Sequence, residues 1–390
     1  MRAVRHPGEL RWETRLLGVV VATLVVFGIV AVYGASSLVV SGDRYIDYQY
    51  ALTQLSGAAL GGVLLVIASQ VDYYRWRQLA WPMLLGTIFL LLLTVVPFTE
   101  GSIAPMKNGA RRWLFIGPAS FQPSELARLA VVVWCAMLAT KKGAQVREFR
   151  KGVLPFVVVL GTVFALVLLQ PNLSMAALIT MLGGIVLFAA GARIGHFAML
   201  AGVGVLAAAQ GIASTPYRLT RLMTFLGHGE ATEGGFQISQ AKIGFGAGGL
   251  FGVGLGEGQQ KLFLPYAYSD FLFSAIGEEW GFVGACVVIA LYATFCWLGF
   301  RIARTAADPF GQYLAAGLTA TVGLTALLHM AVNVDLMPTT GLTLPFMSFG
   351  RSSMVISLLG AGMLINVGRL RGKPRAAVRP TTPERRTPVP

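Results

Sequence analysis

Five carboxylates stand in or beside long apolar stretches of this sequence: Glu125, Asp270, Glu278, Glu279 and Asp335. An ionisable group in apolar surroundings is costly to keep, so each is a candidate for proton transfer, ion pairing or polar recognition. Asp270 follows Pro265 and a Tyr-Ala-Tyr-Ser stretch, downstream of a glycine-rich segment that carries Lys242 and Lys261. A lone carboxylate facing a basic, phosphate-friendly cavity suits general-base chemistry on a hydroxyl. The same residue at the start of an apolar helix equally suits a helix cap. At about 100° per residue, Glu278 lies roughly 80° and Glu279 roughly 180° from the Asp270 face of one continuous helix. They cannot both point where Asp270 points, and internal ion pairs or hydrogen bonds account for them.

Glu125 and Arg128 are three apart and share a helix face, where they either neutralise each other inside the fold or line a substrate cavity. His329 and Asn333, four apart, also share a face, and a helix–helix hydrogen bond is their expected role. The sequence offers no zinc spacing, P-loop or Ser-His-Asp arrangement, and no metal-ligand set is expected. Cys135, Cys286 and Cys296 lie inside apolar runs without ligand spacing and read as buried free thiols. The run Gly244, Gly246, Gly248, Gly249, Gly252, Gly254, Gly256 and Gly258 mimics dinucleotide-binding spacing, but no strand precedes it. Close backbone packing, or a backbone approaching a phosphate, fits better.

The elements that must position these residues are membrane spans. The chain has 390 residues, 55% hydrophobic and only 12% charged, with a mean hydropathy of +0.67. A soluble fold carries roughly 25% charged residues. At about 20 apolar residues per crossing, ten spans are expected, near 17–38, 50–71, 79–98, 124–139, 153–170, 172–191, 196–213, 271–299, 312–335 and 343–366. The first is too long for a signal peptide's core and reads as a retained span. The formal net charge of +14 does not mark a nucleic-acid surface, because the basic residues are not interleaved with aromatics. About two-thirds of the Lys and Arg fall in alternate loops and at the two ends, which places those loops and both termini in the cytoplasm. Two long loops, 99–123 and 214–270, then face outward and are candidate functional loops. The expected organisation is a cytoplasmic segment over 1–16, a ten-helix all-α membrane domain over 17–368, and a disordered basic tail over 369–390.

Three motifs carry a resemblance. Asn108-Gly-Ala-Arg-Arg-Trp113 with Phe121-Gln-Pro-Ser-Glu-Leu-Ala127 is the first. The second is Gly248-Gly-Leu-Phe-Gly-Val-Gly-Leu-Gly256 with Lys261, Leu264-Pro265, Asp270-Phe-Leu-Phe273 and Gly277-Glu-Glu-Trp-Gly281. The third is Asn333 through Pro338 with Gly341-Leu-Thr-Leu-Pro-Phe-Met-Ser348. In this order on a ten-span frame they resemble the SEDS family (shape, elongation, division and sporulation), over about residues 15–370. The glycine run, its spacing to Lys261 and Ile276-Gly-Glu-Glu279 resemble the division branch more than the elongation branch.

The resemblance implies a peptidoglycan glycosyltransferase that polymerises lipid II outside the cytoplasmic membrane, paired with a class B penicillin-binding transpeptidase and other division proteins among membrane lipids. It implies Asp270 as the catalytic aspartate. Glu125 and Arg128 fall on the family's Glu/Lys pair, with Arg in place of Lys. Arg111, Arg112, Gln122, Ser124, Lys242, Lys261 and Ser348 are the remaining expected substrate-binding residues. A divalent cation, magnesium or manganese, is a candidate aid to the leaving group, with no dedicated protein cage apparent. The chain departs from the family pattern at Phe263, Tyr266, Tyr268-Ser269, Thr340, Asn172, Ser174 and Arg351, losing acidic groups and gaining an arginine. A lipid-precursor flippase, another transporter, a scaffold for its partner, and an elongation polymerase are the alternative readings. A polymerase depends on Asp270 at the outer face, a flippase on charges at mid-membrane such as Glu125 and Arg128.

Overall fold

A computed structural model describes residues 9–36, 40–41, 44–45, 47–96, 103–106, 109–117, 119–213, 216–226 and 233–371. Residues 1–8, half of the expected cytoplasmic segment, and the expected disordered tail past Arg371 lie outside the described residues.

The chain is helical. In order it forms α1 (Glu9–Ser36), α2 (Asp47–Gln70), α3 (Tyr74–Val95), α4 (Pro123–Lys142), α5 (Leu154–Leu169), α6 (Leu173–Ala189), α7 (Ile194–Ala213), α8 (Pro216–Phe225), α9 (Glu233–Gly248), α10 (Leu272–Glu279), α11 (Gly281–Arg304), α12 (Pro309–Asn333) and α13 (Arg351–Arg369). Among the described residues, eight helices are long and apolar enough to cross a membrane, and α6 is a shorter apolar helix. Each of the ten expected spans falls on helix, and the structure differs from the expectation at two of them. The expected eighth span breaks at Trp280, where Gly281 adopts φ +67°, into the eight-residue α10 and the long α11. A Cβ at Gly281 would collide with the backbone of Leu250 and Gly252, so the break is made by a distant segment packing into it. The expected tenth span begins eight residues late. Residues 342–350 are not helical, and the side chain of Gln54 on α2 holds them there, donating to the carbonyls of Met347 and Ser348 and accepting from the Gly350 N–H.

The long segment expected as a loop over 214–270 contains α8 and α9. The shorter one carries an antiparallel hairpin, β1 (Leu114–Ile116) with β2 (Ala119–Phe121), in which Leu114 faces Phe121. Caps follow local rules. Asn172 accepts from the Met175 N–H to start α6, and Asp308 from the Gly311 N–H to start α12, which has Pro309 in its first turn.

Helix α4 is central. Nearly every residue from Pro123 to Ala139 is buried, and α3, α6, α12 and α13 pack around it. At one end of the bundle Glu13 on α1 pairs with Arg301 on α11 (2.7 Å) and with Arg371 after α13 (2.6 Å). The beginning of α1, the end of α11 and the end of α13 therefore share one face. Helix α12 starts near that face, where the Tyr73 hydroxyl bonds Asp308, and runs to Asn333 at the opposite end, where the candidate site lies.

Candidate active site

Asp270 sits in the turn before α10, not on the helix. Helix α10 begins after Phe271 with no side-chain cap, and the N–H of Ser274 in its first turn donates instead to Asn333 Oδ1 on α12 (3.0 Å). The cap reading of Asp270 is thereby excluded by geometry. Asn333 also donates to the Asp270 carbonyl (3.1 Å), which with the Ser274 bond gives the inter-element bonding expected of this face, and to the His329 carbonyl of its own helix (2.8 Å).

The Asp270 carboxylate accepts from the Ser269 hydroxyl at 2.6 Å. Ser348 donates to the Ser269 carbonyl (2.8 Å), and the Phe349 N–H bonds the Tyr268 carbonyl (3.0 Å). Tyr268 packs against Tyr50 and Phe349, with ring centres 4.3 and 5.4 Å away. Residues 342–350 thus clamp the aspartate turn from behind. Ser348, expected to bind substrate, is buried and serves this clamp.

Asp270 opens onto a small cavity lined by Arg221, Gln237, Phe271, His329, Val332 and the 339–342 loop. Burial pushes its carboxyl above the ordinary aspartate value, and the Ser269 hydroxyl, Arg221 and Arg112 pull it back down. Arg221 on α8 donates to the Thr339 carbonyl (3.0 Å). Arg112 donates to the carbonyls of Gln170 (3.1 Å) and Pro171 (2.5 Å), and Arg111 precedes it in the strand-leading loop, half-buried. Two guanidinium groups and one carboxylate therefore share one electrostatic environment. Arg221 was missed from the sequence. It stands 49 positions before Asp270 in a segment read as loop, and only the docking of α8 brings it to the site.

The two expected lysines are elsewhere. Lys261 is buried beneath the glycine segment, donating to the carbonyls of Gly34 (3.2 Å) and Gly256, and lies 3.8 Å from Glu279. Lys242 pairs with Asp335 at 2.7 Å, tying α9 to the residues after α12. Neither lines the Asp270 cavity. The glycine segment packs rather than cradles. A Cβ at Gly248 or Gly252 would strike the backbone of residues 277–279, and the amides of Val253 and Gly254 are taken by the Glu278 and Glu279 carbonyls. Glu278 in turn accepts from the amides of Gln259 (2.7 Å) and Gln260 (3.2 Å), so both glutamates have the internal partners expected of them.

Glu125 and Arg128 form a buried ion pair at 2.7 Å, with side chains 4% and 1% exposed. Arg128 reaches Thr325 (3.5 Å) and Ser357 (3.4 Å) and lines a second, small and largely apolar cavity between α4, α12 and α13. Gln122 uses its backbone N–H to bond the Ser352 hydroxyl (3.1 Å), and Ser124 is fully buried beside the pair. Neither Gln122 nor the α4 residues Ser124, Glu125 and Arg128 join the Asp270 cavity.

A multi-pass helical membrane protein with one carboxylate and two arginines gathered at an end of its bundle is the class these features define. Residues 14–372 match the FtsW/RodA/SpoVE family, described as cell cycle proteins, and the chain belongs to that family. The probable peptidoglycan glycosyltransferase FtsW of Geobacter sulfurreducens is 38% identical over 367 residues, 93% of this chain and 97% of that protein. Among solved structures, a chain from work on the coordination of polymerization and crosslinking by a peptidoglycan synthase complex matches with a TM-score of 0.74. It is 28% identical and covers 92% of this chain and 98% of its own. The rod shape determining protein RodA of Thermus thermophilus matches with a TM-score of 0.67 at 27% identity, covering 92% and 97%.

Proposed function

We propose that this protein is an inverting peptidoglycan glycosyltransferase of cell division, which polymerises lipid II at the outer face of the cytoplasmic membrane. The observation that carries the reading is the Asp270 carboxylate, free of any capping role, oriented by Ser269 and flanked by Arg221 and Arg112. A base must be unprotonated yet basic, and burial that raises a carboxyl moves it toward that optimum.

Asp270 accepts the proton of the acceptor's 4-hydroxyl as that oxygen attacks the anomeric carbon of the α-linked lipid pyrophosphate. The C–O bond to pyrophosphate breaks, polyprenyl pyrophosphate leaves, and the new linkage is β. Arg112 and Arg221, with Arg111 nearby, stabilise the charge that grows on the leaving pyrophosphate. Lys242 and Lys261 act through the packing of α9 and the glycine segment, and Ser348 through the clamp on the aspartate turn. Gln122, Ser124, Glu125 and Arg128 hold α4 in the bundle. Among the described residues no three His, Cys, Asp or Glu side chains gather to hold a metal. A magnesium or manganese ion, if bound, would supply Lewis-acid assistance to the leaving pyrophosphate, held chiefly by the substrate's own phosphate oxygens.

The polyprenyl chains stay in lipid along apolar grooves. A class B penicillin-binding transpeptidase is the expected partner, and the domain limits and cytoplasmic termini follow the charge pattern. The test mixes purified protein, its transpeptidase and lipid II and looks for glycan polymer by gel electrophoresis. Translocation of lipid II without polymer would replace this reading with that of a flippase.

A further inference from the structure

His329 on α12 is 1% exposed and lines the cavity that Asp270 opens onto. Its Nδ1 lies 2.7 Å from the Leu342 carbonyl. A carbonyl oxygen only accepts, so Nδ1 carries the proton, and in the neutral ring Nε2 is a lone-pair acceptor. Nε2 is buried and has no hydrogen-bond partner among the described residues. The groups packed around this ring do not satisfy it. Asn333 spends its amide on the carbonyls of Asp270 and His329 and its oxygen on the Ser274 N–H, and the Leu342 carbonyl takes the other ring nitrogen.

We propose that His329 Nε2 is a substrate-binding acceptor, which takes a hydrogen bond from the acceptor sugar's 3-hydroxyl, the hydroxyl vicinal to the one that Asp270 deprotonates. The assignment rests on the polymerase reading above and adds an orientation to it. A neutral acceptor beside a carboxylate recognises hydroxyl donors and gives no attraction to phosphate, whereas Arg221 and Arg112 do the reverse. The cavity is therefore polarised, with the acceptor sugar on the α12 side and the leaving pyrophosphate on the side of α8 and the arginine loop. The fixed Nδ1–H bond to Leu342 holds the ring so that a sugar rotated about its axis loses the contact.

The test compares the parent with His329→Asn, which keeps a donor for Leu342 and removes the unpartnered ring acceptor. Both are assayed, with the transpeptidase, on lipid II and on lipid II whose terminal N-acetylglucosamine lacks the 3-hydroxyl. The variant is expected to melt with the parent and to need about tenfold more lipid II for half-maximal rate, the worth of one hydrogen bond. The deoxy substrate should exact the same penalty from the parent and none further from the variant. Equal deoxy penalties in both proteins overturn the assignment. If His329→Asn does not fold, His329→Gln, with an acceptor near the Nε2 position, takes its place. It must restore sensitivity to the 3-hydroxyl, and insensitivity overturns the assignment. A parent that makes no polymer from lipid II sinks the polymerase reading and this one together, whereas a polymerising parent with equal penalties sinks only His329.

Discussion

Burial holds the Asp270 carboxyl above the ordinary aspartate range against the opposing pull of Ser269, Arg221 and Arg112, and two measurable consequences follow at the scale of the residue. Asp270→Asn preserves volume and removes the base. General-base catalysis contributes ~10²–10⁴-fold, so polymerisation from lipid II should fall at least a hundredfold while pairing with the transpeptidase persists. Because the folded carboxyl titrates above an unfolded one, its ionisation works against the fold. Stability is lost as pH rises from the unfolded value, about 3.9, through the higher folded one. The Asn variant lacks that loss, so in detergent at neutral pH it should melt at or above the parent. A lower melting point would mean that Asp270 holds structure. Arg221→Gln removes a charge that lowers the Asp270 value, and the acid limb of the pH–rate profile should move upward. A limb that stays in place would separate Arg221 from Asp270.

At the scale of the element, the packing of helices sets the consequences. Glu125 and Arg128 neutralise each other in the first two turns of the largely buried α4. Glu125→Ala strands the guanidinium, which typically destabilises by about 3–5 kcal/mol. Its melting transition should drop well below the parent's. Lost activity with an unchanged melt would instead place the pair in contact with substrate. The junction of α10 and α11 depends on Gly281, which combines a left-handed φ of +67° with a backbone contact where a Cβ would go. Gly281→Ala should displace the 249–254 segment, lower the melting temperature and reduce polymerisation together, because α10 backs the aspartate turn. An alanine variant with parental stability and rate would refute that coupling.

For the whole molecule, the ion pairs of Glu13 with Arg301 and Arg371 bring both ends of the described chain to one face of the bundle, and the Asp270 cavity lies at the other. The positive-inside rule predicts that the first face is cytoplasmic. Single cysteines introduced at Phe263 and Lys141, in a background lacking Cys135, Cys286 and Cys296, test this in intact cells. An impermeant thiol reagent should label position 263 and spare 141, and the opposite pattern would invert the topology.

What the sequence by itself determined was the all-helical membrane class and where the apolar runs fall, because transfer of apolar side chains to lipid acts residue by residue and is written locally. It also singled out Asp270, since one acid between a basic glycine segment and an apolar run is conspicuous wherever it folds. The tertiary structure alone decided the rest. The α10–α11 break comes from Gly252 pressing on Gly281, a contact 29 positions apart in the chain. Helices α8 and α9 hide in the expected outer loop because their apolar runs are too short to register as spans. A lysine in a glycine-rich stretch looks exposed and available, yet Lys261 is spent on Gly34, Gly256 and Glu279, while Arg221 takes its place beside Asp270. Which cation meets a substrate is settled by long-range packing, and the spacing of residues along one chain carries no measure of it.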